Sequence, residues 1–189
     1  MKTILLSVAM FTSFLCTAQS DFKPTVQVYY DLGIDDYKTN TIGIDFIAGF
    51  KVTDLLTLGA GTGLGSSDML YYKSYNKGDS YDSRETVMIL PLYGHGKINF
   101  TKTGISPYLS LNAGYTLSLT SSYDHPGLMV KPSFGVDFPL NNGGSFFAQV
   151  AYKYQHFNYT YFSITETDTS DTVESGHAAQ LEFAVGYTF

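Results

Sequence analysis

His177-Ala-Ala-Gln-Leu-Glu-Phe-Ala-Val-Gly-Tyr-Thr-Phe189 decides how the rest of the chain is read. Ala179, Leu181, Phe183, Val185, Tyr187 and Phe189 share one parity; Gln180, Glu182, Ala184, Gly186 and Thr188 share the other. Successive side chains of a strand point to opposite faces, so alternation this strict means a strand between two different environments. One environment takes an unbroken apolar row that ends in aromatic residues. The other takes amide, carboxylate, hydroxyl and glycine.

Working outward, the same pattern recurs. Ser145 to Tyr159 sets Phe146, Ala148, Val150, Tyr152 and Tyr154 against Phe147, Gln149, Ala151, Lys153 and Gln155. The hairpin signal Asn141-Asn142-Gly143-Gly144 joins it to Leu128–Leu140, where Val130, Phe134, Val136 and Phe138 oppose Lys131, Ser133, Gly135 and Asp137. Ile105 to Leu117 sets Leu109, Leu111, Ala113 and Tyr115 against Ser106, Tyr108, Ser110 and Asn112. In Thr86 to Phe100, Met88, Leu90, Leu92, Ile98 and Phe100 oppose Ile89, Tyr93, His95, Lys97 and Asn99, with Pro91 disturbing the register. Leu56 to Leu64 alternates Leu58, Ala60, Thr62 and Leu64 with Gly59, Gly61 and Gly63. Thr41 to Val52 alternates Ile42, Ile44, Phe46, Ala48 and Phe50 with Gly43, Asp45, Ile47, Gly49 and Lys51. Thr25 to Ile34 opposes Val26, Val28, Tyr30 and Leu32 to Gln27, Tyr29 and Asp31. The strand count comes to about eight.

Two regularities set the architecture. Connections alternate between tight turns (Thr53-Asp54, Thr101 to Gly104, Asn141 to Gly144) and polar loops, among them Gly65 to Arg84 and Phe162 to Gly176. That is the layout of an up-and-down barrel with short turns on one side and longer loops on the other. The acids and bases within the strands, Asp31, Asp45, Lys51, Lys97, Lys131, Asp137, Lys153 and Glu182, all oppose the apolar row. A soluble carrier barrel would be apolar inside and charged outside; here the polarity is inverted. Hydrocarbon offers backbone groups no water, so a closed barrel is the sheet that can sit in it. The expected fold is all-β: an eight-stranded antiparallel up-and-down transmembrane barrel.

Composition agrees. The 189 residues suit one domain, with 16 Tyr, 14 Phe, no Trp and 18 Gly. A secreted β-sandwich would share that composition, and composition alone does not separate the two. Residues 1–18 read as a secretory signal peptide, with a basic start, an apolar run and a small-residue site at Cys16-Thr17-Ala18, leaving a barrel domain over 19–189. Cleavage removes the one cysteine, and with it disulfide and thiolate chemistry. It also removes Lys2, making a formal charge of −6 more negative, which argues against nucleic acid as a partner. Phe50, Phe100, Phe138 and Phe146 fall on the apolar face near the turn side, and Tyr30, Tyr115 and Tyr154 near the loop side. Rings at two levels are what anchoring at two membrane interfaces requires.

The leader, the alternating strands, Met88-Ile-Leu-Pro-Leu-Tyr93 and the ending Gly186-Tyr-Thr-Phe189 together resemble the small outer-membrane β-barrels of Bacteroidota, of the OmpA/OmpX type. The resemblance covers the whole mature chain. It implies residence in the outer membrane among lipids and lipopolysaccharide, and no enzymatic activity. It also implies that Tyr187 and Phe189 serve as the signal read by the barrel-assembly machinery.

A barrel of eight strands is just wide enough for side chains to fill, so the inward charges, with His95, should form a paired network rather than line a channel. The inward glycines lack dinucleotide-binding spacing and instead make room for Tyr93 and His95 from the next strand. Tyr71, Tyr72, Tyr75 and Tyr81 in the second loop are the candidate contacts for a surface partner. The last loop carries Glu166, Asp168, Asp171 and Glu174 without calcium-loop spacing, and neither a metal nor a cofactor is expected. Gln155-His156-Phe157-Asn158 is faintly like the His-x-Ser-Asn element of lipid A deacylases, but Asn158 stands where the nucleophilic serine would be.

Overall fold

The computed structural model describes residues 21–189 except 36–37, 77–78, 121–124, 142 and 166–167, and describes side chains outside 69–85, 121–126, 142 and 158–174. The expected signal peptide, Cys16 included, lies outside the described residues, as does Glu166. Eight strands follow in order: β1 (Phe22–Gly33), β2 (Asn40–Lys51), β3 (Leu56–Asn76), β4 (Asp79–Asn99), β5 (Ser106–Ser118), β6 (His125–Pro139), β7 (Ser145–Thr165) and β8 (Asp168–Thr188). Each is antiparallel to its neighbours in the chain, and β1 pairs with β8 to close the barrel. No described helix is long and apolar enough to cross a membrane; any crossing belongs to the strands.

The alternation read from sequence sorts the faces. Lys131 is 2% exposed while Phe134 is 53% exposed, and Glu182 is 0% exposed beside Phe183 at 47%. Buried apolar clusters are small: Ile47 with Tyr93 and Met129, Val87 with Ile89, and Phe157 with Ala178. The interior is a polar filling and the exterior an apolar belt.

At one end the strands are joined by the tight turns. The Thr53 hydroxyl accepts from the Leu55 and Leu56 N–H groups at 3.3 and 3.0 Å, while Gly104 and Gly143 supply the positive φ their turns need (73° and 87°). β4 runs straight through Pro91, which is buried and pairs with Thr116 of β5. On its β3 side the register passes from Thr62↔Leu92 to Gly65↔Ile89, where proline has no N–H to give.

The other end differs from the expectation. Over their described residues, Gly65 to Arg84 and Phe162 to Gly176 are not loops. They are the upper parts of two hairpins, β3–β4 and β7–β8, whose strands are each 21 residues long, against 12 for β1 and β2. At ~3.3 Å per residue, such strands far outrun the 9–11 residues that a membrane crossing takes. Above the belt the apolar alternation stops while the Tyr- and Thr-rich sequence still favours strand. The two hairpins also meet: β3 and β7 run parallel with Tyr72↔Thr160, Lys73↔Tyr161, Ser74↔Phe162 and Tyr75↔Ser163.

Candidate functional site

The lumen is filled from three inward-facing layers. In the middle, β6 places Lys131 between the carboxylates of β8 and β2, 2.7 Å from Glu182 Oε2 and 3.6 Å from Asp45 Oδ2. Asp45 also accepts from the Gln27 amide and the Tyr93 hydroxyl, both at 2.9 Å. Glu182 accepts from Gln149 Nε2 at 3.3 Å, and Tyr108 donates to Gln149 Oε1 at 3.0 Å. Towards the hairpin end Lys153 meets Asp31 at 2.8 Å. Towards the turn end Lys97 meets Asp137 at 2.7 Å, Asn99 donates to the same carboxylate at 2.7 Å, and the Lys97 ammonium lies 4.0 Å above the Tyr108 ring. His95 Nδ1 is 2.7 Å from Asn112 Oδ1. Buried charge is costly unless paired and hydrogen-bonded, and each buried lysine here meets a carboxylate.

Lys51 stands apart from the other charges grouped with it by sequence. Its parity is inward, but as the last residue of β2 it sits at the rim, bonded to Asp54 at 3.0 Å with Lys102 on the other side of that carboxylate at 3.1 Å. These two ammonium groups hold the Asp54 carboxyl below the usual carboxylate range, Lys51 contributing most through its hydrogen bond.

Bulk on one strand is matched by its absence on the next. A Cβ at Gly61 would run into the Tyr93 ring, one at Gly43 or Gly65 into the Tyr29 hydroxyl, and one at Gly135 into Tyr108. The room at Gly61 serves Tyr93, as sequence suggested; Gly59 instead lies against the Ala48 backbone and not His95. The result is a plug. A cavity of about 260 Å³ at the turn end, lined by Lys23, His95, Lys97, Asn99 and Asp137, narrows inward to one of about 20 Å³ among Gln27, Ile47, Tyr108 and Gln149.

Outside, Phe100, Phe138, Phe146 and Phe189 are exposed at the turn end, and Tyr30, Tyr115 and Tyr154 at the other. Phe50 is half-buried because it rests on Phe22, with ring centres 5.1 Å apart. Phe146, Tyr187 and Phe189 form one edge-to-face cluster, with centres at 5.0 and 4.7 Å. Tyr71, Tyr72, Tyr75 and Tyr81 lie within β3 and β4; their side chains fall outside the described ones.

No protein-family model and no curated protein matches this chain. Among the solved structures it resembles is the solid-state NMR structure of outer membrane protein AlkL in DMPC lipid bilayers. That pairing has 12% identity, covers 90% of each chain and gives a TM-score of 0.44. The likeness is one of fold.

Sequence reasoning missed Gln27, Tyr108 and Gln149, which link the Lys131 centre to Lys97, and Asn112, which bonds His95. Being uncharged, they did not stand out. The signal that finds them is position: each shares a parity with a buried charge on its own or the neighbouring strand.

Proposed function

We propose that the protein is an integral outer-membrane barrel without enzymatic activity, a plugged scaffold. It supports the membrane and carries a recognition surface on its paired hairpins. The observation behind this reading is the inversion of polarity: buried Lys131, Glu182 and Asp45 inside, with Leu111 (50% exposed) and Phe134 around them outside. Water on the outside would leave that belt without a driving force to fold, whereas hydrocarbon is its natural solvent.

On this reading the turn end faces the periplasm, the aromatic rings rest at the headgroups of lipid and lipopolysaccharide, and Tyr187 with Phe189 addresses the assembly machinery. The surface contact is a joint platform rather than a free loop, because the hairpin carrying Tyr72 and Tyr75 is tied through its backbone to β7. A lipid hydrolase would need a nucleophile beside His156. Its Nδ1 instead faces His177 Nδ1 at 3.4 Å, and among the described residues no hydroxyl hydrogen-bonds to either ring.

The test is heat-modifiability of the detergent-extracted membrane fraction. A barrel of this kind stays closed in unheated detergent, so boiled and unheated samples should migrate differently. Recovery as a soluble protein with a single mobility would overturn the proposal.

A further inference from the structure

The polar network of the lumen leaves one constellation unused, and it lies on the outside. His156 of β7 and His177 of β8 are directly opposed in the antiparallel register. Their neighbours in sequence, Phe157 and Ala178, point inward and are buried, so both imidazoles project outward just above the apolar belt. Directly opposed residues of such a ladder hold their Cβ atoms about 4.5–5.5 Å apart, which fixes the rings side by side.

We propose that His156 and His177 chelate a borderline transition-metal cation, of the Zn²⁺ class, on the outer rim of the barrel. The two Nδ1 atoms are 3.4 Å apart. That is long for a hydrogen bond between nitrogens. It equals the separation, about 3.3–3.4 Å, of two imidazole nitrogens each about 2.0–2.1 Å from one tetrahedral zinc ion. The rings are also held in place. Tyr154 stacks on His177 with centres 5.2 Å apart and planes inclined by 23°. Gly127, at the irregularity where the β6–β7 register shifts, leaves space where a Cβ would come 3.1 Å from the His156 ring.

A third histidine lies nearby along the backbone. His125 of β6 comes into register with Asn158, two positions along β7 from His156. His125 opens β6, whereas His156 and His177 lie midway along β7 and β8. Two nitrogen ligands leave the remaining positions of the ion to water or an anionic oxygen. Such a site suits an exchangeable cation rather than a closed structural zinc.

The experiment is a Zn²⁺ titration of the full chain folded in detergent micelles, followed by calorimetry and by the histidine ring resonances. The expected result is saturable uptake of a single ion per chain, with the His156 and His177 resonances moving together. His156→Ala and His177→Ala should each weaken binding at least about tenfold, since loss of an outer-shell partner alone costs about 10–100-fold. The double variant should abolish it. Heat-modifiability of each variant shows that the barrel has still closed, as outward side chains allow. Absence of saturable binding in the folded wild type would overturn the proposal. Equal binding in the double variant would also overturn it.

Discussion

Val130 and Lys131 are neighbours on β6, and the contrast between them describes the molecule. Val130 is 44% exposed and Lys131 2%. In water-soluble proteins the order is reversed, because apolar area gains by leaving water and charge loses. Here the outward residue is stabilised by apolar surroundings it does not share with the protein's own core, and the inward one by two carboxylates. The two faces are thus held by different forces. Polar geometry governs inside, where each group depends on named partners. Solvent governs outside, where a residue depends on what surrounds the barrel.

Removing a partner should therefore be most costly inside. Lys131→Met leaves Asp45 and Glu182 facing each other without their shared cation. Breaking a buried pair from one side costs about 3–5 kcal/mol. The loss should appear as a lower urea midpoint in micelles, and Glu182→Gln on the same background should recover part of it by removing one stranded charge. If Lys131→Met unfolds at the wild-type midpoint, the centre of the plug does not hold the barrel.

The outer face gives the complementary break. Leu111, half exposed in the middle of β5, would tolerate a charged residue if water surrounded it. In a bilayer, Leu111→Arg should cost about 2–4 kcal/mol near the midplane. Refolding into lipid vesicles, compared with wild type under the same denaturant series, measures it. A neutral outcome would place Leu111 against water and undo the contrast with Lys131.

That contrast also explains what could be read from sequence. Wherever one face meets the apolar surroundings and the other the plug, alternation fixes the strand and its facing, as in Ser106–Ser118. It fails above the belt. Residues 71–76, 79–84, 160–165 and 168–174 are strand, yet the strict apolar alternation does not run through them, so nothing in their order distinguishes them from loop. The pairing of Tyr72 with Thr160 joins segments far apart in the chain, and no local pattern encodes it. Within the lumen, parity placed the charged residues but could not say where along the axis a strand ends, which is why Lys51 looked like a member of the plug.

Lys51 supplies the smallest and sharpest comparison, between an ion pair at the rim and those inside. Asp54 is shared by Lys51 and Lys102 in the open turn, where solvent screens the attraction. Asp54→Asn should lower stability at neutral pH far less than Lys131→Met does, in the same urea assay. The pH profile gives the sign. Because the two lysines depress the folded carboxyl, Lys51 foremost, the unfolded state takes up its proton first as pH falls. The contribution of Asp54 is then complete above the unfolded value of about 3.9 and fades as pH drops through the lower folded value. Wild type and Asp54→Asn should converge in acid, and in high salt at neutral pH, whereas the deficit of Lys131→Met should persist in salt because bulk ions do not reach the plug. A deficit in Asp54→Asn that survives both acid and salt would mean that the residue works through the geometry of the Thr53 turn instead of its charge.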